Sequence, residues 1–269
     1  METRPTPRPP VWRLALAGLV LMAVLFVWNN FTPPGWLAKA DAIGYAFCHR
    51  IAIRSLLFGE RPLPLCARCT GMYLGALFTG LLLYAANRSK VYGFPTRAAS
   101  GLLGLGVIWF GLDGVNSFAI LLPGGRYFLY PPNNVTRLLT GLWLGIALAA
   151  YLLPVLHSAL WRVASDQPML TGWETLPLLA LVGLLAVVVW FAPPELLLFF
   201  GLASVLGVLI LLALLYSTLL LLVSRKTELA QSWWQASPVL VLGLACAWGQ
   251  ILLIDWLRFQ LTGTWAGFF

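Results

Sequence analysis

The chain has 269 residues, 60% of them hydrophobic and 10% charged, with a mean hydropathy of +0.86 and a formal net charge of +8. That much apolar surface exceeds what one water-soluble core of this length buries, so most of the chain is solvated by lipid. This excludes a soluble enzyme, a nucleic-acid-binding domain and a disordered chain; the basic excess reads as topology-setting loops and contact with anionic lipid.

Arg4 and Arg8, among prolines, precede an apolar run that resembles a signal-peptide core. Ala38-Lys39-Ala40 lies too far beyond that run for a cleavage site, so an uncleaved first membrane helix is expected at 11–28. Further spans of about 20 mostly apolar residues are expected at 70–87, 100–122, 136–156, 174–192, 195–224 and 237–258. Proline pairs at Pro33-Pro34, Pro131-Pro132 and Pro193-Pro194 punctuate them, and the last pair predicts a tight antiparallel hairpin of the fifth and sixth spans. Residues 37–58 are apolar but carry Asp41, His49, Arg50 and Arg54, which predicts a short re-entrant or interfacial helix with its arginines turned inward.

The expected fold is therefore all-α and polytopic, with about seven transmembrane helices and one re-entrant or interfacial helix. It forms one membrane domain over 1–269, with a motif-bearing core at 36–145 and additional helices over 174–258. Basic residues divide almost evenly between the two sides; the arginines of 39–68 account for the failure of the positive-inside rule. The expectation is a prokaryotic plasma membrane with the N-terminus cytoplasmic.

Three of the four cysteines cluster in sequence. Cys48-His49 and the Cys66-Ala67-Arg68-Cys69 knuckle supply three thiols and an imidazole, the ligand set of a Cys3His zinc site, with iron as the other candidate metal. His49, adjacent to Cys48, reaches the same ion only if the chain leaves helical geometry there. The same residues also suit thiol–disulfide exchange. Cys66 and Cys69 sit at a predicted helix N-terminus with Arg68 between them, which favours a thiolate. Structural disulfides or buried thiols are the plain alternative, and Cys246 reads as a core residue.

Arg50, Arg54, Arg61 and Arg68 form a cationic group, facing only Glu60 nearby in sequence. Guanidinium groups bind phosphate and carboxylate through paired donors, and the helix starting near Thr70-Gly71 offers free backbone N–H groups. Arg61 alone reads as part of a lipid-facing basic collar. Within the bilayer, Asp113 in Asp113-Gly114-Val115-Asn116 needs a partner, and Arg137 is the expected one. Asn134 and Arg137, one turn apart, address the same point. Gly71-x3-Gly75 and Gly141-x3-Gly145 permit close helix packing. Trp28 and Trp233-Trp234 read as interfacial anchors, and His157 as a loop residue.

The string Cys48-His49-Arg50, Arg54-Ser55 and Pro64-Leu65-Cys66-Ala67-Arg68-Cys69-Thr70-Gly71 resembles an uncharacterised family of prokaryotic membrane proteins, a domain of unknown function. Asp113-Gly114 and Asn134 to Arg137 leading into Thr140-Gly141 follow in the same order, so the resemblance covers about 46–145. It implies a membrane protein and marks these residues, without supplying a reaction.

The leading expectation is a metal site of Cys48, His49, Cys66 and Cys69 that organises a pocket of Arg50, Arg54, Arg68, Asp113, Asn134 and Arg137. Its ligand is an anionic, phosphate- or lipid-bearing molecule, and Asp113 and Arg137 are the candidate catalytic residues. The alternatives are a membrane thiol oxidoreductase using Cys66 and Cys69, coupled to a quinone, and a structural membrane subunit. No P-loop, zinc-protease helix or nucleophile elbow names a reaction.

Overall fold

The computed structural model describes residues 11–123, 125–225, 227 and 230–266. Arg4, Arg8 and Lys226, which enter the sequence charge balance, lie outside these residues. Among the described residues there are eight α-helices: α1 (Val11–Phe31), α2 (Trp36–Phe47), α3 (Ala67–Ala85), α4 (Arg97–Ala119), α5 (Asn134–Leu160), α6 (Gly172–Trp190), α7 (Pro194–Ser224) and α8 (Trp233–Thr262). Two short sheets complete the fold: an antiparallel hairpin of β1 (Ser55–Phe58) and β2 (Arg61–Cys66), and a parallel pair of β3 (Val91–Gly93) and β4 (Ser165–Pro168). The protein is an all-α, polytopic integral membrane protein.

Six helices, α1 and α4 to α8, are long and apolar enough to cross a membrane. The α3 helix has 19 residues but carries Arg68, Thr70 and Thr79, which lower its hydropathy. It compensates by enclosure, packing against α5 and α7 with Thr70 and Thr79 fully buried. Six is one fewer than the seven spans the sequence predicts, because the polar start of α3 lowers its hydropathy. Three residues join α6 to α7 at the Pro193-Pro194 pair, the short link the sequence predicts, but the two helices pack mainly on other partners rather than tightly on each other.

The centre of the molecule is the parallel pair α3 and α5, whose two Gly-x3-Gly patterns face one another. A Cβ on Gly71 would lie 2.3 Å from the carbonyl oxygen of Leu138, and one on Gly141 would lie 2.1 Å from that of Arg68. Gly75 and Gly145 repeat the arrangement one turn on, against Leu142 and Met72. Only hydrogen at these positions lets the two backbones come so close. That approach sets Arg68 beside Gly141, two turns into α5.

The predicted helix over 37–58 is a correction. The α2 helix stops at Phe47 because Cys48 turns extended, and Arg50 then takes a left-handed backbone at φ 52°. Pro62 and Pro64, each unable to donate a backbone hydrogen bond, fall within β2, and Gly59 at φ 61° makes the turn between the strands. The hairpin closes onto α2, where a Cβ on Gly44 would lie 1.9 Å from the Pro64 carbonyl oxygen.

Two further readings change. Trp28 is buried rather than interfacial: its indole donates to Asp255 of α8 at 2.9 Å and meets Trp248 edge-on at 4.5 Å. His157 lies in the last turn of α5, buried, with Nδ1 2.7 Å from the Val91 carbonyl oxygen. Trp233 and Trp234 are exposed, as expected of anchors.

Candidate functional site

Three thiols meet where α2 ends, β2 ends and α3 begins. Cys48 caps α2, Cys66 caps the N-terminus of α3, and Cys69 sits in its first turn. Their sulfur atoms lie within 4.8 Å of one another. All are free thiols, Cys48 buried and the other two partly so. The backbone amides of Arg50 and Cys66 donate to Cys48 Sγ at 3.4 and 3.3 Å. Such bonds favour negative charge on sulfur. Hydrogen bonding from Cys48 and Cys69, with backbone N–H donation from Cys69 and Arg68, holds the Cys66 thiol well below its ordinary pKa. The same shared bonding to Cys66 pushes Cys48 up to about 11, aided by burial.

The first N–H groups of α3 are thus directed at the Cys66 sulfur, not at an external anion as expected for this helix start. His49 is exposed and stands outside the thiol group. Arg258 of α8, which sequence reasoning missed, braces the same corner. Its guanidinium donates to the Tyr45 and Cys48 carbonyl oxygens, the latter at 2.9 Å, and lies over the Tyr45 ring at 3.9 Å. No local pattern pairs α8 with α2, so only the fold brings it there.

The arginines divide into two groups. Arg50 pairs with Asp41 at 3.0 Å, and Arg61 reaches the other oxygen of the same carboxylate. Arg50 and Arg61 therefore share one carboxylate on α2, which draws Arg50 out of the expected arginine pocket and makes Arg61 an ion-pair partner rather than a free basic collar. Arg54, Arg68 and Arg137 form the second group, around Asp113.

The expected Asp113–Arg137 pair is a correction. Asp113, fully buried, is bound by Arg68, because the α3–α5 approach leaves Arg68 facing α4. Arg68 Nη2 also donates to the Asp113 carbonyl and the Ser117 hydroxyl, both at 3.1 Å. The second carboxylate oxygen accepts from the Tyr130 phenol at 2.9 Å and the Thr136 hydroxyl at 3.5 Å. Burial and the Asp113 hydrogen bond raise the Tyr130 pKa, which keeps the phenol a donor. Arg54 donates to the Ser117 carbonyl at 3.0 Å, and burial with the neighbouring Arg68 charge lowers its pKa.

Arg137 donates to Asn134 Oδ1 at 2.8 Å, so the one-turn spacing brings these two together as predicted. Asn134 Nδ2 in turn holds the Ile53 and Ser55 carbonyls, joining α5 to the hairpin. Arg137 is 7% exposed, and its Nε has no hydrogen-bond partner. Arg54, Asn133, Asn134 and Arg137, with Ile120 and Trp190, line an open cavity of about 410 Å³. Asn116 accepts from the Phe128 and Leu129 amides and donates to the Tyr130 carbonyl, which pins the α4–α5 connection over Asp113.

Every one of these residues from Cys48 to Arg137 falls within residues 48–151, the stretch matched by a family model described as a predicted membrane protein (DUF2085). An uncharacterized protein of Methanothermobacter thermautotrophicus is 41% identical over 102 residues, which is 38% of this chain and 80% of that protein. The chain belongs to the DUF2085 family. No solved structure matches it. The DUF2085 match spans the hairpin, α3, α4 and most of α5, and leaves α1, α2 and α6 to α8 outside. Cys48, its first residue, is held from outside the match by Arg258.

Proposed function

We propose that this DUF2085 protein uses Cys48, Cys66 and Cys69 to hold one zinc or iron ion, and that the ion fixes an arginine-lined cavity for a phosphate-bearing anion. The observation that carries the reading is the convergence of three thiols within 4.8 Å at the junction of α2, β2 and α3. Thiolate sulfur is the usual ligand of zinc and of iron–sulfur centres. Three elements meet there beside an apolar cluster that includes Ile43, Leu65 and Tyr73, and a metal would tie their ends as a structural site does. A water would complete the ligand set, since His49 lies outside the group of ligand atoms that converge here.

The cavity side of the reading rests on charge. Arg54, Arg68 and Arg137 face one carboxylate, Asp113, and Arg68 already engages it. Two guanidinium groups therefore remain to be balanced at the cavity, and phosphate oxygens suit their paired donors. Arg137, which lines the cavity, would meet a bound ligand, whereas Asp113, buried beneath Arg68, Tyr130 and Thr136, would hold the arginine group in place; no reaction is assigned.

The protein resides, in this reading, in a prokaryotic plasma membrane with its N-terminus in the cytoplasm. The thiols and the cavity, at the end where α1 finishes and α3 starts, then face outward. Metal ligation there would keep the thiols from oxidising.

Elemental mass spectrometry of detergent-purified protein, beside its Cys66→Ser/Cys69→Ser variant, tests the metal. About one zinc or iron per chain, lost in the variant, is the expected result. A metal-free protein with Cys66 and Cys69 in a reducible disulfide would overturn it in favour of thiol–disulfide exchange.

A further inference from the structure

Three thiols fill three positions on an ion and leave a fourth. Among the described residues, no further His, Cys, Asp or Glu ligand atom joins Cys48, Cys66 and Cys69. Structural zinc sites close the fourth position with protein, whereas sites that act on a ligand leave it to water or substrate.

Tyr73 of α3 is the polar group that the fold sets beside this centre. It stands one helical turn beyond Cys69, on the same face. Long side chains on a helix lean toward its N-terminus, which lays the Tyr73 ring back over the turn that carries Cys69. Tyr73 is 7% exposed and belongs to one apolar cluster with Cys48, Cys66 and Cys69. Gly207 of α7 packs on its backbone, where an added Cβ would lie 2.6 Å from the Tyr73 carbonyl oxygen. All three thiols act electrostatically on the phenol, Cys69 most strongly.

Among the described residues, however, the Tyr73 hydroxyl makes no hydrogen bond, to sulfur or to any other group. A buried phenol ordinarily gives its O–H to a partner, and an unmade bond is costly. A hydroxyl held near three ligand atoms and bonded to none of them is placed to meet what a metal would carry at its fourth position. The surroundings there are also cationic, since Arg54 and Arg137 both lie in electrostatic reach of Cys66.

From this arrangement we infer that the metal centre keeps an exchangeable fourth position, and that the Tyr73 hydroxyl donates a hydrogen bond to the small ligand bound there. Water holds the position at rest, and a small anion displaces it. The inference rests on the metal reading above and deepens it: the centre ties three elements together and also takes an external ligand.

Cobalt(II), whose visible bands report coordination and whose near-ultraviolet thiolate absorption reports sulfur ligands, is loaded into detergent-purified protein in place of the native metal. Sodium azide is then titrated in at constant ionic strength. Tyr73→Phe removes only the hydroxyl and keeps the ring that packs in the cluster. Cys66→Ser/Cys69→Ser gives the baseline without the centre.

Azide is expected to shift the visible bands of wild type to saturation. Tyr73→Phe keeps the thiolate absorption and binds azide about tenfold more weakly, the worth of one hydrogen bond to a charged group. Visible bands that azide does not move mean a closed site, which overturns the inference and leaves the metal standing. Equal azide affinity in wild type and Tyr73→Phe makes Tyr73 a packing residue and also overturns it. Loss of the thiolate absorption in Tyr73→Phe means that the phenol holds the centre itself together, which overturns it as well. Absence of thiolate absorption in cobalt-loaded wild type overturns the inference and the metal reading together.

Discussion

The Arg68 guanidinium of α3 closes on Asp113 of α4, donating to both its carboxylate and its main-chain carbonyl. Asp113 has no exposure, and Arg68 has its side chain 19% exposed. This pair joins the two helices that carry the thiol knuckle and the loop over the cavity. Removing one partner of a buried pair leaves the other charge uncompensated, at a cost of about 3 kcal/mol or more. Asp113→Asn is therefore expected to lower the unfolding midpoint in detergent markedly. Replacing both residues with apolar ones of similar size (Arg68→Met with Asp113→Leu) recovers much of that loss. Thermal unfolding of the singles and the double checks it, and simple additivity would show that the pair is not coupled.

The glycines of α3 and α5 differ sharply in what surrounds them. Gly141→Ala puts a Cβ against the Arg68 backbone and is expected to destabilise by about 1–3 kcal/mol, as overpacking does. Gly80→Ala, where an added Cβ meets nothing within 4 Å, gains helix propensity and stabilises by about 0.5–1 kcal/mol. Opposite signs in the unfolding midpoint of the two variants are the observation to look for.

Thiol labelling reads the metal independently of its mass. With an ion bound, Cys48, Cys66 and Cys69 are expected to resist a maleimide that reaches them after treatment with a strong chelator. Cys246, on α8 and apart from the cluster, labels alike in both states. Mass spectrometry of the labelled chain counts the difference. Labelling of all three cluster thiols at equal rates with and without chelator would argue for unliganded sulfur.

Asn116 is fully buried and makes three bonds to the chain at 128–130. Its replacement by Ala strands two amides and one carbonyl, a loss of about 2 kcal/mol or more. The Phe128 and Leu129 amides should then exchange hydrogen faster, while the α3–α5 core stays protected. Unchanged exchange at those two amides would mean that the loop is held by something else.

Trp28→Phe removes the indole donor from Asp255, a carboxylate buried between α1 and α8. A stranded acceptor of this kind costs about 1–3 kcal/mol. Asp255→Asn keeps an oxygen for the Trp28 N–H and should cost less. Unfolding midpoints of the two variants decide the order.

Much of the architecture is legible in the chain before it folds. Lipid solvation demands long apolar helices, and hydropathy with paired prolines locates them to within a few residues, because a backbone in hydrocarbon has no other way to satisfy its N–H and C=O groups. The chemically marked residues are legible too: an Asp inside a span and three close cysteines stand out against leucine and valine. What local sequence does not contain is which marked residue meets which. Asp113 takes Arg68 rather than Arg137, because glycines on α3 and α5 bring those helices together and turn Arg68 toward α4. Arg50 leaves the arginine group, because the chain bends after Phe47 and delivers it to Asp41. Arg258 and Trp28 act across more than two hundred residues of chain. Sequence by itself determined the solvent, the helices and the cast of polar residues; pairing of those residues was decided only by tertiary packing, since the energy of a buried charge depends on what the fold sets beside it.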